Sequence, residues 1–215
     1  MCDTELYGFE VDNEGHRQVS RMRFAGSGCY SAATVDASEK RAFLSLEKEE
    51  GPQIWVADLT EETPNPREFL NLPGNRAPTS LYFEASRRRL FSVHGETGEL
   101  WETDLSADEP RLILFDYDLG WPMALDFSPI DQRLYVTDAK AGRIWVLDCK
   151  ARCKEPTVFM QSDALKNPTT LAVAFDGSLW LGDLQSQTLM TIEPDGSVGS
   201  TIHSLSGAPV SPRMP

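Results

Sequence analysis

Three markers recur along this chain every 44 to 48 residues, and they predict an all-β fold of repeated four-stranded antiparallel blades, a β-propeller. The first reads apolar–aromatic–x–x–acidic: Ile54-Trp55-Val56-Ala57-Asp58, Leu100-Trp101-Glu102-Thr103-Asp104, Ile144-Trp145-Val146-Leu147-Asp148 and, with Met for the aromatic, Leu189-Met190-Thr191-Ile192-Glu193. Its second positions step by 46, 44 and 45, and an earlier copy, Leu6-Tyr7-Gly8-Phe9-Glu10, sits 48 residues upstream. The second marker is an aromatic ahead of each complete copy, at Phe43, Phe91, Tyr135 and Trp180. The third is a proline lead-in: Pro78-Thr79-Ser80-Leu81, Pro122-Met123-Ala124-Leu125 and Pro168-Thr169-Thr170-Leu171.

Each period supplies four strands, A to D, because turn-forming residues such as Ser128-Pro129-Ile130-Asp131 and Phe175-Asp176-Gly177-Ser178 separate apolar runs of five or six. No run keeps a 3.6-residue apolar period long enough for a major helix. Strand A, as at 170–174, is small and apolar. B and C carry the aromatics, and D is more polar, as at 67–72, 111–115 and 197–203. Burying each repeated aromatic between sheets is worth about 1.5–3 kcal/mol, so Trp55, Trp101, Trp145 and Trp180 are expected in the blade-to-blade core. The repeats fall at 28–74, 75–118, 119–164 and 165–206. They follow a half-blade at 1–27, with C and D strands at 5–11 and 18–24, and precede a tail at 207–215. Pro209-Val210-Ser211-Pro212 in that tail resembles another lead-in. The count is four complete blades plus an N-terminal half-blade in one domain, 1–215, which is either part of a six-bladed ring or an imperfect five-bladed one. A gap in the ring would leave apolar sheet faces and strand edges open to self-association.

The remaining composition sets limits. Twenty Lys and Arg against 33 Asp and Glu give a net charge of −13, which repels phosphate backbones and argues against nucleic-acid partners. No apolar run reaches the ~18 residues of a membrane span, and residues 1–10 lack the basic and apolar segments of a secretory signal. That pattern suits an intracellular protein or a segment of a longer one, and leaves the compartment open. Cys2, Cys29, Cys149 and Cys153 have no C-x-x-C spacing for zinc. Free thiols are expected, although Cys149 and Cys153 could bridge a hairpin loop in an oxidising compartment.

The segment 122–129, followed by Arg133-Leu134-Tyr135-Val136-Thr137-Asp138 and Arg143-Ile144-Trp145, resembles two kinds of six-bladed propeller. One is the senescence-marker-protein/gluconolactonase family, which Asp176-Gly177-Ser178-Leu179-Trp180-Leu181-Gly182-Asp183 and Glu193-Pro194-Asp195-Gly196-Ser197-Val198 also resemble. The other is the YWTD repeat of lipoprotein receptors, an extracellular module, matched in three letters by Tyr135-Val136-Thr137-Asp138. The likeness covers residues 76–204. The first family implies a divalent metal, usually calcium, held by a Glu, an Asn and an Asp, with the Asp doubling as general base. Its Asn stands in Asn-Gly-Leu, where this chain has Met123-Ala124-Leu125. Its Asp stands in Pro-Asp-Gly, where this chain has Pro168-Thr169-Thr170. Its Glu belongs to the A–B pair that the half-blade lacks.

Neither Met123 nor Thr169 carries a carboxylate or amide oxygen, so no cofactor, metal or catalytic residue is expected. Calcium enters only with the alternative, a divergent lactone or ester hydrolase. The expected function is non-catalytic binding of a small molecule or a protein on the loops that follow strands B and precede strands A. Asn75, Arg76, His94, Trp121, Asp138, Asn167 and Asp183 fall on those loops. His94 is the one of three histidines, with His16 and His203, on a B–C turn. Asp138 and Asp183 take the same place in later repeats, where an aspartate also suits capping of its own turn.

Overall fold

In the computed structural model, residues 5–11, 17–23, 30–115 and 117–203 are described, and all regular structure among them is strand. Strands β1 (Glu5–Val11) and β2 (Arg17–Arg23) pair antiparallel, with Glu5 opposite Arg23 and Val11 opposite Arg17. This two-stranded sheet is the expected half-blade. Four antiparallel sheets of four strands follow, each in chain order. They comprise β3 (Tyr30–Asp36), β4 (Arg41–Lys48), β5 (Gly51–Asp58) and β6 (Arg67–Asn71); then β7 (Ser80–Glu84), β8 (Arg89–His94), β9 (Glu99–Asp104) and β10 (Arg111–Phe115). Next come β11 (Pro122–Ser128), β12 (Arg133–Asp138), β13 (Arg143–Asp148) and β14 (Thr157–Gln161), and finally β15 (Pro168–Val173), β16 (Leu179–Asp183), β17 (Thr188–Ile192) and β18 (Val198–His203). These are the four-stranded blades of a β-propeller. Cys2, Cys29, His16, the side chain of His203 and the 207–215 tail lie outside the described residues.

The chain forms two compact units: residues 1–92 with 101–114, and residues 93–100 with 115–215. In the first, Phe43 on β4 is fully buried, with its ring 5.4 Å from Phe69 and 5.5 Å from Phe83 on β7. Ile54, Val56, Leu72, Leu81, Leu90 and Leu105 complete that core. One polar contact ties the two first strands: the Phe83 amide donates to Thr34 Oγ1 at 3.1 Å. Arg89 is buried but paired, its Nε 3.1 Å from Glu84 Oε2, which offsets the cost of taking the charge from water.

The second unit repeats the plan with different residues. Tyr135, Ile144, Met160, Leu165, Leu179, Leu181, Met190 and Ile192 form its core, and Tyr135 meets Phe159 edge-on at 5.2 Å. Here Asp126 on β11 takes the linking role, accepting from the Val173 amide on β15 at 2.7 Å. Burial pushes the Asp126 carboxyl up despite that bond and a second from the Phe127 amide.

Two expectations need correction. The four repeated tryptophans are not the core: on the C strands their aliphatic neighbours Ile54, Leu100 and Ile144 are fully buried while Trp55, Trp101 and Trp145 are half-buried, and Trp180 on a B strand is exposed. The indole N–H explains two of these, since it needs an acceptor: Trp145 Nε1 donates to the Leu119 carbonyl (3.0 Å) and Trp55 Nε1 to Gln53 Oε1 (2.8 Å). Cys149 and Cys153 are not free thiols but a buried disulfide. The Lys154 amide donates back to the Asp148 carbonyl at 2.9 Å, and this tight fold of the β13–β14 connection brings the two sulfurs together.

Candidate functional site

The second unit gathers, at one end of its sheets, the B–C turns (94–99, 138–143 and 183–188) and the connections that lead into β11 and β15. His94, Trp121, Asp138, Asn167 and Asp183 all lie here. Asn75 and Arg76 lie in the first unit, both exposed, with Arg76 paired to Glu47 at 3.2 Å.

Asp138 ends β12 with its carboxylate buried. Its Oδ1 accepts from the amides of Trp121 (3.1 Å), Lys140 (3.2 Å) and Ala141 (3.1 Å), and Oδ2 accepts from Arg143 Nε at 2.9 Å. Asp183 ends β16 and repeats the pattern. Its Oδ2 accepts from the Lys166 (2.7 Å) and Asn167 (2.8 Å) amides, and Oδ1 from the amide and hydroxyl of Ser186, both at 2.9 Å. Burial pushes the Asp183 carboxyl up, but the four donors outweigh it and hold the group below its ordinary range. Each turn is also stitched to its lead-in by backbone bonds, Ala139 N to Trp121 O and Leu184 N to Asn167 O. The structure therefore joins Trp121 to Asp138 and Asn167 to Asp183 as two turn-and-lead-in pairs. The acids hold backbone in place, and all their oxygens are engaged.

Glycine makes the approach possible. Gly120 sits at φ +77°, and a Cβ there would collide with the Asp138 carboxylate. Gly142, at φ +62°, packs against the Leu165 carbonyl so closely that no side chain fits. Beside Gly142 opens a cleft of about 410 Å³ lined by Lys140, Gln161, Ser162, Asp163 and Lys166 among others. Sequence reasoning missed this cleft; the available signal was Gly142 recurring with Gly98 before a strand C. His94 is buried at the end of β8, and its carbonyl accepts from the Gly98 amide at 2.9 Å.

The two positions that the resemblance assigns to metal ligands lie where the register of the first strand shifts, Met123 between Pro122 and Leu125 and Thr169 between Pro168 and Thr170. Such bulges re-aim side chains, but a thioether and a hydroxyl are a poor donor set for a hard cation that takes six to eight oxygens. Among the described residues no three His, Cys, Asp or Glu side chains converge to hold an ion. These residues do not fit the metal.

Residues 89–208, more than half of the chain, match the family model for the SMP-30/Gluconolactonase/LRE-like region. The chain belongs to this family. No curated protein sequence matches it. Among solved structures, a structural-genomics protein from Lactobacillus plantarum aligns with TM-score 0.69 at 15% identity, covering 95% of this chain and 64% of that one. A luciferin-regenerating enzyme aligns at 0.68 and 14%, covering 94% and 69%. Virginiamycin B lyase from Staphylococcus aureus aligns at 0.64 and 12%, covering 83% and 56%. At such identities the likeness is one of fold. This member of the SMP-30/gluconolactonase family thus spans under two thirds of two of those three proteins. No helix among its described residues is long and apolar enough to cross a membrane.

Proposed function

We propose that this chain is a non-catalytic member of its family that binds a small anionic ligand, a carboxylate or phosphate, in the cleft beside Gly142. One observation carries the reading: Lys140 and Lys166, against the single acid Asp163, line a polar cleft, and the backbone amides of both lysines are held by the turn acids Asp138 and Asp183. Asp138 and Asp183, the acids at that end, each have both oxygens engaged by backbone amides or a neighbouring side chain, a placement that serves the turns and not a general base. Rigid turns keep the cleft formed before the ligand arrives, which limits the ordering cost of binding. Small carboxylates and phosphates titrated by calorimetry against the wild type, Lys140→Ala and Lys166→Ala test this. Binding should weaken about tenfold in each variant, as expected for loss of one charge-assisted contact of ~1.4 kcal/mol. No binding by the wild type, or equal binding by the variants, contradicts the proposal.

Family membership favours a second reading, a metal-dependent lactone or ester hydrolase completed by residues outside the described ones. Hydrolysis of a simple lactone that appears with calcium and vanishes with chelator would replace the binding proposal.

A further inference from the structure

The last sheet has one face covered and one face open. On β15–β18, Ala172 pairs with Trp180, and Trp180 with Thr191; Thr170, Gly182, Leu189 and Ile202 align in the next row. Side chains alternate across a strand, so these residues share a face, and the one carboxylate beside them, Glu193, lies at its far end over Gly199 next to Thr191. The opposite face, with Leu179, Leu181, Met190 and Ile192, is core. The open face is apolar and wet: Trp180 is 41% exposed, Leu189 40% and Ile202 55%.

The repeat shows what this face is built to receive. Thr34 pairs with Phe43 as Asp126 pairs with Tyr135 and Ala172 with Trp180. In the first unit, the Thr34–Phe43 face receives β7: Phe83 lies on Phe43, and its amide donates to Thr34. In the second, Asp126 receives the amide of Val173 on β15. Such a face takes the first strand of another blade. Ala172 has no acceptor for that strand's amide, so the incoming strand must be held by apolar contact alone.

The chain carries one first strand whose matching side is exposed on that strand itself, while Ala42, Leu44 and Ala57 behind it on the same face are buried. Val35 on β3 stands at the place of Phe83, one residue before the strand's terminal acid. Phe83 is buried, whereas Val35 is 45% exposed, and Ala33 on the same side of β3 is exposed too. We propose that two copies associate head to tail, with β3 of one seated on the Trp180–Leu189–Ile202 face of the other. The net charge of −13 opposes the contact, and salt screens that repulsion. A head-to-tail contact leaves one free face at each end and so extends beyond two copies unless it closes.

Sedimentation of the full chain at 0.15 M salt, from about 1 to 100 µM, tests it. The wild type should exceed one chain in mass, rising with concentration. Trp180→Glu and Val35→Glu should each sediment as one chain with unchanged circular dichroism. Mixed in equal amounts, they should form a two-chain species and nothing larger, because each variant keeps one working face. If either variant loses its fold, Leu189→Lys and Ala33→Glu replace it on the same faces. A wild type that stays at one chain, variants that associate like wild type, or a mixture that remains single chains overturns the proposal.

Discussion

Phe43 and Trp180 occupy the same place in two repeats, yet one is sealed between two sheets and the other faces water. Their backbones are alike: both lie mid-strand in the second strand of a four-stranded sheet, opposite a residue of the first. The difference is made by the next sheet, which Phe43 has and Trp180 lacks among the described residues. A repeat thus fixes the local strand pairing, while the worth of each side chain is set by what packs on it. Thr34, Asp126 and Ala172 repeat the lesson in polar form, as two links to a neighbouring strand and one blank position.

The widest separation should come from truncating the two aromatics. Phe43→Ala removes a fully buried ring and should cost about 3–5 kcal/mol. Trp180→Ala, at a dilution where only single chains exist, should cost about 1 kcal/mol or less. Denaturant melts of the two proteins measure both, and equal losses would mean that the Trp180 face is covered. The turn acids come next. Asp183→Ala strands the amides of Lys166, Asn167 and Ser186 and should cost about 1–3 kcal/mol. A loss below 0.5 kcal/mol on the order of a surface substitution would show the turn to stand without its carboxylate.

A finer comparison sets Asp183 against Asp126, whose carboxyls move in opposite directions. The folded Asp183 value lies below its unfolded one. Its contribution is therefore present above the unfolded value and is lost as pH falls through the folded one. The folded Asp126 value lies above its unfolded one, so protonation favours the fold, and that benefit is lost as pH rises through the folded value. Between neutral pH and about pH 3, Asp183→Asn should make the acid loss of stability shallower than in wild type. Asp126→Asn should make it steeper. Melting curves across that range decide, and shifts of the same sign in both variants would contradict the assignment.

Much of this was legible before any coordinates. The strands lie within a residue or two of their expected places; the D strand of the half-blade, expected at 18–24, is β2 at Arg17–Arg23. Period-2 alternation and turn residues are local signals, and the 45-residue repeat averages their noise. Less legible was anything decided across strands. The choice of Ile54 over Trp55 for the core depends on where an indole N–H finds a carbonyl. The cleft beside Gly142 depends on how closely two loops approach, and the disulfide depends on how tightly one connection folds. Asp138 and Asp183 were visible as strand-end acids, but only three-dimensional placement shows how many donors each one holds.

Met123 and Thr169 extend the opening comparison to function: they keep the backbone positions at which the family implies metal ligands and lack the donor atoms. That substitution is the centre of the case for binding without catalysis. A ligand that prefers the folded state must raise its melting temperature by mass action. The direct test is the melting temperature of the full chain with and without calcium at about 100 times the Kd of a weak, near-millimolar site. The account predicts no change beyond that produced by an equal ionic strength of sodium chloride. A rise of several degrees that chelator reverses would contradict it.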